Sequence, residues 1–184
     1  LNLGKLRLAS QEIIRTLLAE CAARVSENPF RQHFLHTEWE QVVDAWQLED
    51  WEAYRDVQRL GRKTRLTESH RKILWSIFEQ VKAGLQAQGL ITQAGMFNQL
   101  SVHYAQGKRT PYTFIVVDEA QDINIPQLRL LAALAGNRVN GLFFAGDLGQ
   151  RIFQQPFSWL SLGVDVRGRS KTLRINYRTS HQIR

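Results

Sequence analysis

Cysteine and methionine are almost missing from this chain: Cys21 and Met96 stand alone among 184 residues. A single thiol excludes an internal disulfide and any cysteine-rich zinc site, and it fits a reducing compartment such as the cytosol. Cys21 falls on an apolar helical face with Ile14, Leu17 and Leu18, where it reads as packing. No apolar run approaches the roughly 20 residues of a membrane span, and the start, which carries Lys5 and Arg7 among scattered leucines, lacks the layout of a signal peptide. Internal repeats and low-complexity segments are absent. The five histidines, at 33, 36, 70, 103 and 181, have no metal-ligand spacing, so no zinc site is expected.

Acidic charge is also in short supply, with 17 Asp and Glu against 24 Lys and Arg and a net charge of +7. Residues 1–110 hold 15 basic side chains against 12 acidic ones, and residues 111–184 hold 9 against 5. The excess is mild in both parts; it suits a polyanionic partner without naming one. At 43% hydrophobic the chain can bury a core. Its first residue is Leu1, not methionine, and the expectation is that it is a piece of a longer polypeptide.

Hydrophobic periodicity divides the chain. From Ser10 to Ser26 apolar residues recur at helical spacing until Pro29 breaks the pattern. Thr37-Glu-Trp-Glu40 has the form of a capping box ahead of Val42, Val43 and Trp46. A short helix is expected over 50–60, ended by Gly61. The clearest one spans 68–88, ended by Gly89, and another spans 92–105. The first 110 residues thus read as an all-α unit with no convincing strand. Past Gly107 and Pro111 the reading changes to a strand at 113–117, a helix at 126–135, a strand at 141–145 and a third strand at 171–175. Strand, helix and strand at this spacing imply a parallel crossover, and the fold class expected is α/β, a parallel sheet preceded by an all-α segment, with a boundary near 107–111.

The chemistry concentrates in Phe114-Ile-Val-Val-Asp-Glu-Ala-Gln-Asp122. An uncharged β-branched run reads as a strand buried on both faces, and acids where it ends sit at the carboxyl edge of the sheet, where α/β proteins bind ligands. Asp118 and Glu119 suit a magnesium-nucleotide site, one carboxylate for the metal shell and one for a water. The plainer reading is a strand followed by a helix with acids in its first turn. Two further strands end in polar clusters, Gly146-Asp-Leu-Gly-Gln150 and Asn176-Tyr-Arg178. Carboxylates, a neutral hydrogen-bonding side chain and a cation at one edge are the inventory of phosphoryl transfer. Gln150 and Asp147 could instead cap a turn, and Arg178 could be a surface arginine. Arg59, Arg62, Lys63, Arg65, Arg71 and Lys72 form a basic cluster that reads equally as phosphate contacts or as a solvated face. Trp39, Trp46, Trp51 and Trp75 fall on apolar helical faces and read as core.

The three clusters resemble motifs of the UvrD/Rep-like superfamily 1 DNA helicases. Ile115-Val-Val-Asp-Glu-Ala-Gln-Asp122 is similar to their Walker B motif (motif II), Phe144-Ala-Gly-Asp-Leu-Gly-Gln-Arg-Ile-Phe153 to motif III, and Leu173-Arg-Ile-Asn-Tyr-Arg-Thr179 to motif IV. The resemblance implies that residues 111–184 form the C-terminal half of the first RecA-like motor domain and residues 1–110 a helical insertion like domain 1B. It implies ATP and Mg2+ as cofactors and single-stranded or partly duplex DNA as partner, in a cytoplasmic monomer moving 3′ to 5′. It assigns Asp118 to magnesium, mostly through water, Glu119 to the general base or water orienter, Gln150 to sensing the γ-phosphate and coupling it to the DNA groove, Arg178 to the γ-phosphate and Tyr177 to the adenine. Phe153 would lie at the single-strand groove, with Arg59, Arg62, Lys63 and Arg65 as further nucleic-acid contacts. Relatives usually follow motif III with a Trp and an Arg; this chain has Gln155 and Pro156, and Phe157 or Trp159 is the substitute on offer. No Gly-x-x-x-x-Gly-Lys-Ser/Thr loop occurs in these 184 residues, so the chain alone is expected not to hydrolyse ATP. Two other readings compete: a metal-dependent nuclease or phosphohydrolase using Asp118, Glu119, Asp122 and Asp147, and a non-catalytic nucleic-acid-binding module.

Overall fold

The structure is a computed structural model that describes residues 6–26, 28–59, 64–107, 109–147 and 157–173. Its elements in order are β1 (Arg7–Leu8), α1 (Gln11–Ala23), α2 (Gln32–Glu38), a π-helical segment (Trp39–Asp44), α3 (Trp51–Asp56), α4 (Glu68–Ala87), β2 (Leu90–Ile91), α5 (Gln93–Ala105), β3 (Ile115–Val117), a 3-10 turn (Ala120–Asp122), α6 (Ile125–Ala135), β4 (Leu142–Phe144) and a 3-10 turn (Leu160–Leu162).

Helices α1, α3, α4 and α5 start where a short polar side chain can take a free backbone N–H. Ser10 accepts from Ile13 N, Asp50 from Ala53 N, Thr67 from His70 N and Thr92 from Gly95 N. The apolar stripe of α4 buries Leu74, Trp75, Ile77, Phe78, Val81 and Leu85. It meets α1 closely at Gly84, where an added Cβ would lie 3.1 Å from Leu17 Cδ2. Leu35, Trp39, Val42, Val43 and Tyr54 complete this first core. Each such side chain contributes about 1.5–3 kcal/mol on burial.

Two expectations about these helices are corrected. Thr37 does not start a helix: its hydroxyl donates to His33 O at 2.7 Å from inside α2, which runs on through the π segment. The buried stripe already begins a turn earlier, at Leu35. α3 ends at Asp56, not 60, because Arg71 Nη1 takes the terminal carbonyls of Tyr54 (2.7 Å) and Arg55 (2.6 Å). A missed feature is the parallel pairing of β1 with β2, two residues each, Arg7 opposite Leu90 and Leu8 opposite Ile91.

In the second half β3 and β4 pair in parallel, Ile115 with Leu142, Val116 with Phe143 and Val117 with Phe144, joined through α6. The helix opens with a complete capping box between Asn124 and Gln127 and Pro at its first turn. A second core gathers Ala120, Ile123, Ile125, Leu128, Phe157, Leu162 and Val164, with Val117, Leu142 and Phe144 against it. The strand expected to be buried on both faces is covered on one. Val116 is 72% exposed and Phe143 62% exposed, because among the described residues α6 and the 157–164 segment lie on the opposite side. Residues 171–173 form no strand, and the rest of the third expected strand lies outside the described residues. Across the boundary expected at 107–111, α5 lies against α6, and Ala45 and Trp46 pack onto the second core.

Candidate active site

Parallel pairing puts the ends of β3 and β4 on the same edge. The ladder continues one step past the strands: Ala145 N donates to Val117 O and Ala120 N to Ala145 O, both at 2.8 Å. The loop carrying Asp118 and Glu119 is thereby tied to the loop carrying Gly146 and Asp147.

At this edge the chain turns sharply. Glu119 adopts a left-handed backbone conformation, φ 51° and ψ 43°, which costs a non-glycine residue about 1 kcal/mol or more. Asp118 Oδ1 stabilises the bend by accepting from Glu119 N at 2.9 Å. The turn leaves both carboxylates exposed. Glu119 Oε2 accepts from Gln121 Nε2 at 2.5 Å, and Gln121 Oε1 accepts from Asp147 N at 3.0 Å. Gln121 itself is buried, 4% exposed. The approach of the two loops leaves no room for a side chain at Gly146, where a Cβ would lie 2.5 Å from Gln121 Oε1 and 2.8 Å from Ala120 N.

Of the residues singled out in the sequence, Asp118 and Glu119 share this edge with the backbone of Asp147. Gln150, Phe153, Tyr177 and Arg178 lie outside the described residues, as do Arg62 and Lys63. Of the substitutes for a base-stacking side chain, Phe157 is buried in the second core, and Trp159, partly buried, packs edge-on against Phe144 at 4.7 Å.

Two members of the basic cluster, Arg59 and Arg71, are engaged by the protein itself. Arg59 holds Glu38 through both carboxylate oxygens at 2.6 Å, and the two side chains are 6% and 0% exposed. Arg71 closes α3, and Lys72 pairs with Glu68 at 2.8 Å. Arg65 is exposed. Glu38 was not legible as Arg59's partner because 21 residues separate them in sequence. Gln121 could have been noticed as the one neutral polar residue between Glu119 and Asp122.

The sequence profile of the UvrD/REP helicase N-terminal domain matches residues 3–156. The chain belongs to this family. Membership gives this UvrD-like chain a helicase-related function, with DNA and nucleotide as partners at the level of the family. No curated protein and no solved structure matches it.

The edge fits a magnesium-nucleotide complex in one respect that its geometry shows: two adjacent exposed carboxylates at the carboxyl end of a parallel strand. Magnesium keeps most of its waters and takes one or two protein carboxylates. A two-metal nuclease needs more, and among the described residues no group of three or more His, Cys, Asp or Glu side chains could hold a metal. Among the described helices none is long and apolar enough to cross a membrane.

Proposed function

We propose that this chain supplies the Walker B and motif III edge of an ATP-dependent superfamily 1 DNA helicase or translocase. The observation that carries this reading is the pairing of an exposed Asp118-Glu119 turn with the Gly146-Asp147 loop at one edge of a parallel strand pair, within a chain of the UvrD/REP family. Asp118 would hold magnesium, largely through water, and Glu119 would orient and deprotonate the attacking water. The bound metal supplies charge neutralisation on the phosphates. Gln150 and Arg178 would sense and contact the γ-phosphate, Tyr177 would stack on the adenine and Phe153 would lie against a DNA base.

In this reading the helical part, residues 1–110, is the 1B-like insertion and residues 111–184 belong to the first RecA-like domain. Its partners are ATP, Mg2+ and single-stranded or partly duplex DNA, and it works as a cytoplasmic monomer. Because the 184 residues hold no phosphate loop, the chain alone binds no triphosphate productively.

The test is DNA-stimulated ATP hydrolysis by the full-length protein that carries this sequence. Glu119→Gln should lower kcat by about 100-fold or more while nucleotide binding persists, and the purified 184-residue chain should show no turnover. Full activity in Glu119→Gln, or magnesium-dependent turnover by the chain alone, would overturn the proposal.

A further inference from the structure

We propose that Gln121 is a positioning residue that couples the Glu119 carboxylate to the loop carrying Asp147, so that movement of that loop is felt at the catalytic base. This deepens the reading above and rests on it.

A carboxamide has one donating and one accepting end, and here both ends are committed in opposite directions. A carboxylate can only accept, so the nitrogen must face Glu119. A backbone N–H can only donate, so the oxygen must face Asp147. One orientation of the amide satisfies both contacts, at 2.5 Å and 3.0 Å, and the flipped one satisfies neither.

The side chain has no freedom to compromise. It is 4% exposed, sits in the 3-10 turn just after the bend at Glu119, and abuts Gly146, where even a methyl would collide with its oxygen. The backbone bond from Ala120 N to Ala145 O pins the same two loops a residue away. Glu119, by contrast, is exposed and held in a strained conformation. A shift of the 146–147 loop therefore drags the amide, and the amide drags the carboxylate.

A purely structural role predicts something different: a buried glutamine that satisfies an N–H and nothing more. Two substitutions separate the ideas. Gln121→Leu removes both bonds. Gln121→Glu keeps an acceptor for Asp147 N but replaces the donor facing Glu119 with a second carboxylate, so that only the bond to Glu119 is lost.

In the full-length protein, Gln121→Leu should lower kcat for DNA-stimulated ATP hydrolysis by about 10–100-fold with KM for ATP changed by less than about threefold. Gln121→Glu, which keeps the contact to Asp147 and loses only the one to Glu119, should also lower kcat by about 10-fold or more with KM for ATP within about threefold, a split that a structural role would not produce. In the 184-residue chain, the Asp147 amide resonance should shift on Glu119→Gln, and that response should vanish in a Gln121→Leu background. The inference is overturned if Gln121→Glu keeps kcat within about twofold while Glu119→Gln is inactive, or if the Asp147 amide ignores Glu119→Gln. Undiminished turnover in Glu119→Gln would instead defeat the reading of the site itself. Should Gln121→Leu fail to fold, the near-isosteric Gln121→Glu and the amide response of the unsubstituted pair still decide.

Discussion

Two buried ionic sites in the helical part show how burial changes what a charge does. Arg59 and Glu38 are sealed together, with the Tyr54 hydroxyl donating to the same carboxylate at 3.2 Å. Removing one partner strands the other in a nonpolar interior. Arg59→Ala should therefore lower the unfolding free energy by about 3–5 kcal/mol, read by urea denaturation. Arg65→Ala, at an exposed position, should change stability by less than about 0.5 kcal/mol; if it contacts DNA phosphate, the salt slope of DNA binding falls by about one. A stability loss from Arg65→Ala matching that from Arg59→Ala would contradict this division. Asp44 makes a second case. Burial pushes its pKa up to about 6, against the pull of hydrogen bonds from Thr92 (2.6 Å) and Gln47 (2.8 Å), both to Oδ1. A carboxyl whose pKa is raised on folding stabilises the protein fully below its unfolded value and loses that contribution as pH rises through about 6. Asp44→Asn keeps the acceptor and removes the titration. The variant should be more stable than the parent at pH 8, and the gap should close toward pH 4 by on the order of 1–3 kcal/mol. A gap that stays constant across this range would refute the assignment.

Elements were legible in proportion to how many residues repeat their pattern. α4 spans 20 residues with six buried positions on one stripe, and its cap and terminator stand in the sequence. The strands β1 and β2 have two residues each, too few to show any period, and they exist because tertiary packing brings Arg7 beside Leu90. Thr37 misled because a hydroxyl that could cap a helix can also bond back to a carbonyl within one. The edge at Asp118-Glu119 was readable because strand and acids are adjacent in the chain; the Gln121 bridge was not, because its second partner lies 26 residues on. The β3–β4 pair gives this a measurable form. Its two faces differ, so Leu128→Ala beneath the covered face should cost about 2–5 kcal/mol, whereas Val116→Lys on the open face should change stability by about 0.5 kcal/mol or less. Equal losses in thermal or urea melts would mean that both faces are covered.

Across the whole molecule the question is whether two hydrophobic cores behave as one cooperative unit. Trp46, at the end of the helix that passes through the first core, reaches the second, where the Arg129 guanidinium lies 5.3 Å from its ring centre and donates to its carbonyl at 3.2 Å. Thr92 and Asp44 anchor the start of α5 to that same helix, and α5 in turn lies against α6. The helical and sheet-bearing parts are thus joined by a cation–π contact, a hydrogen bond and one shared helix face. Chains so connected unfold together while the joint costs more to open than either core costs to melt. Trp46→Ala removes the ring that Arg129 covers and the apolar surface on the second core, while leaving Leu128 and the Glu38–Arg59 pair untouched. The parent should unfold in one transition by circular dichroism and by amide exchange. Trp46→Ala should separate the amides of β3, β4 and α6 from those of α1 and α4, with the sheet-bearing part opening first because its core is smaller and one face of its sheet is exposed. Simultaneous exchange of both groups in the variant would show that α5 against α6 suffices to hold the parts together, and the joint would then be assigned to that helix pair instead.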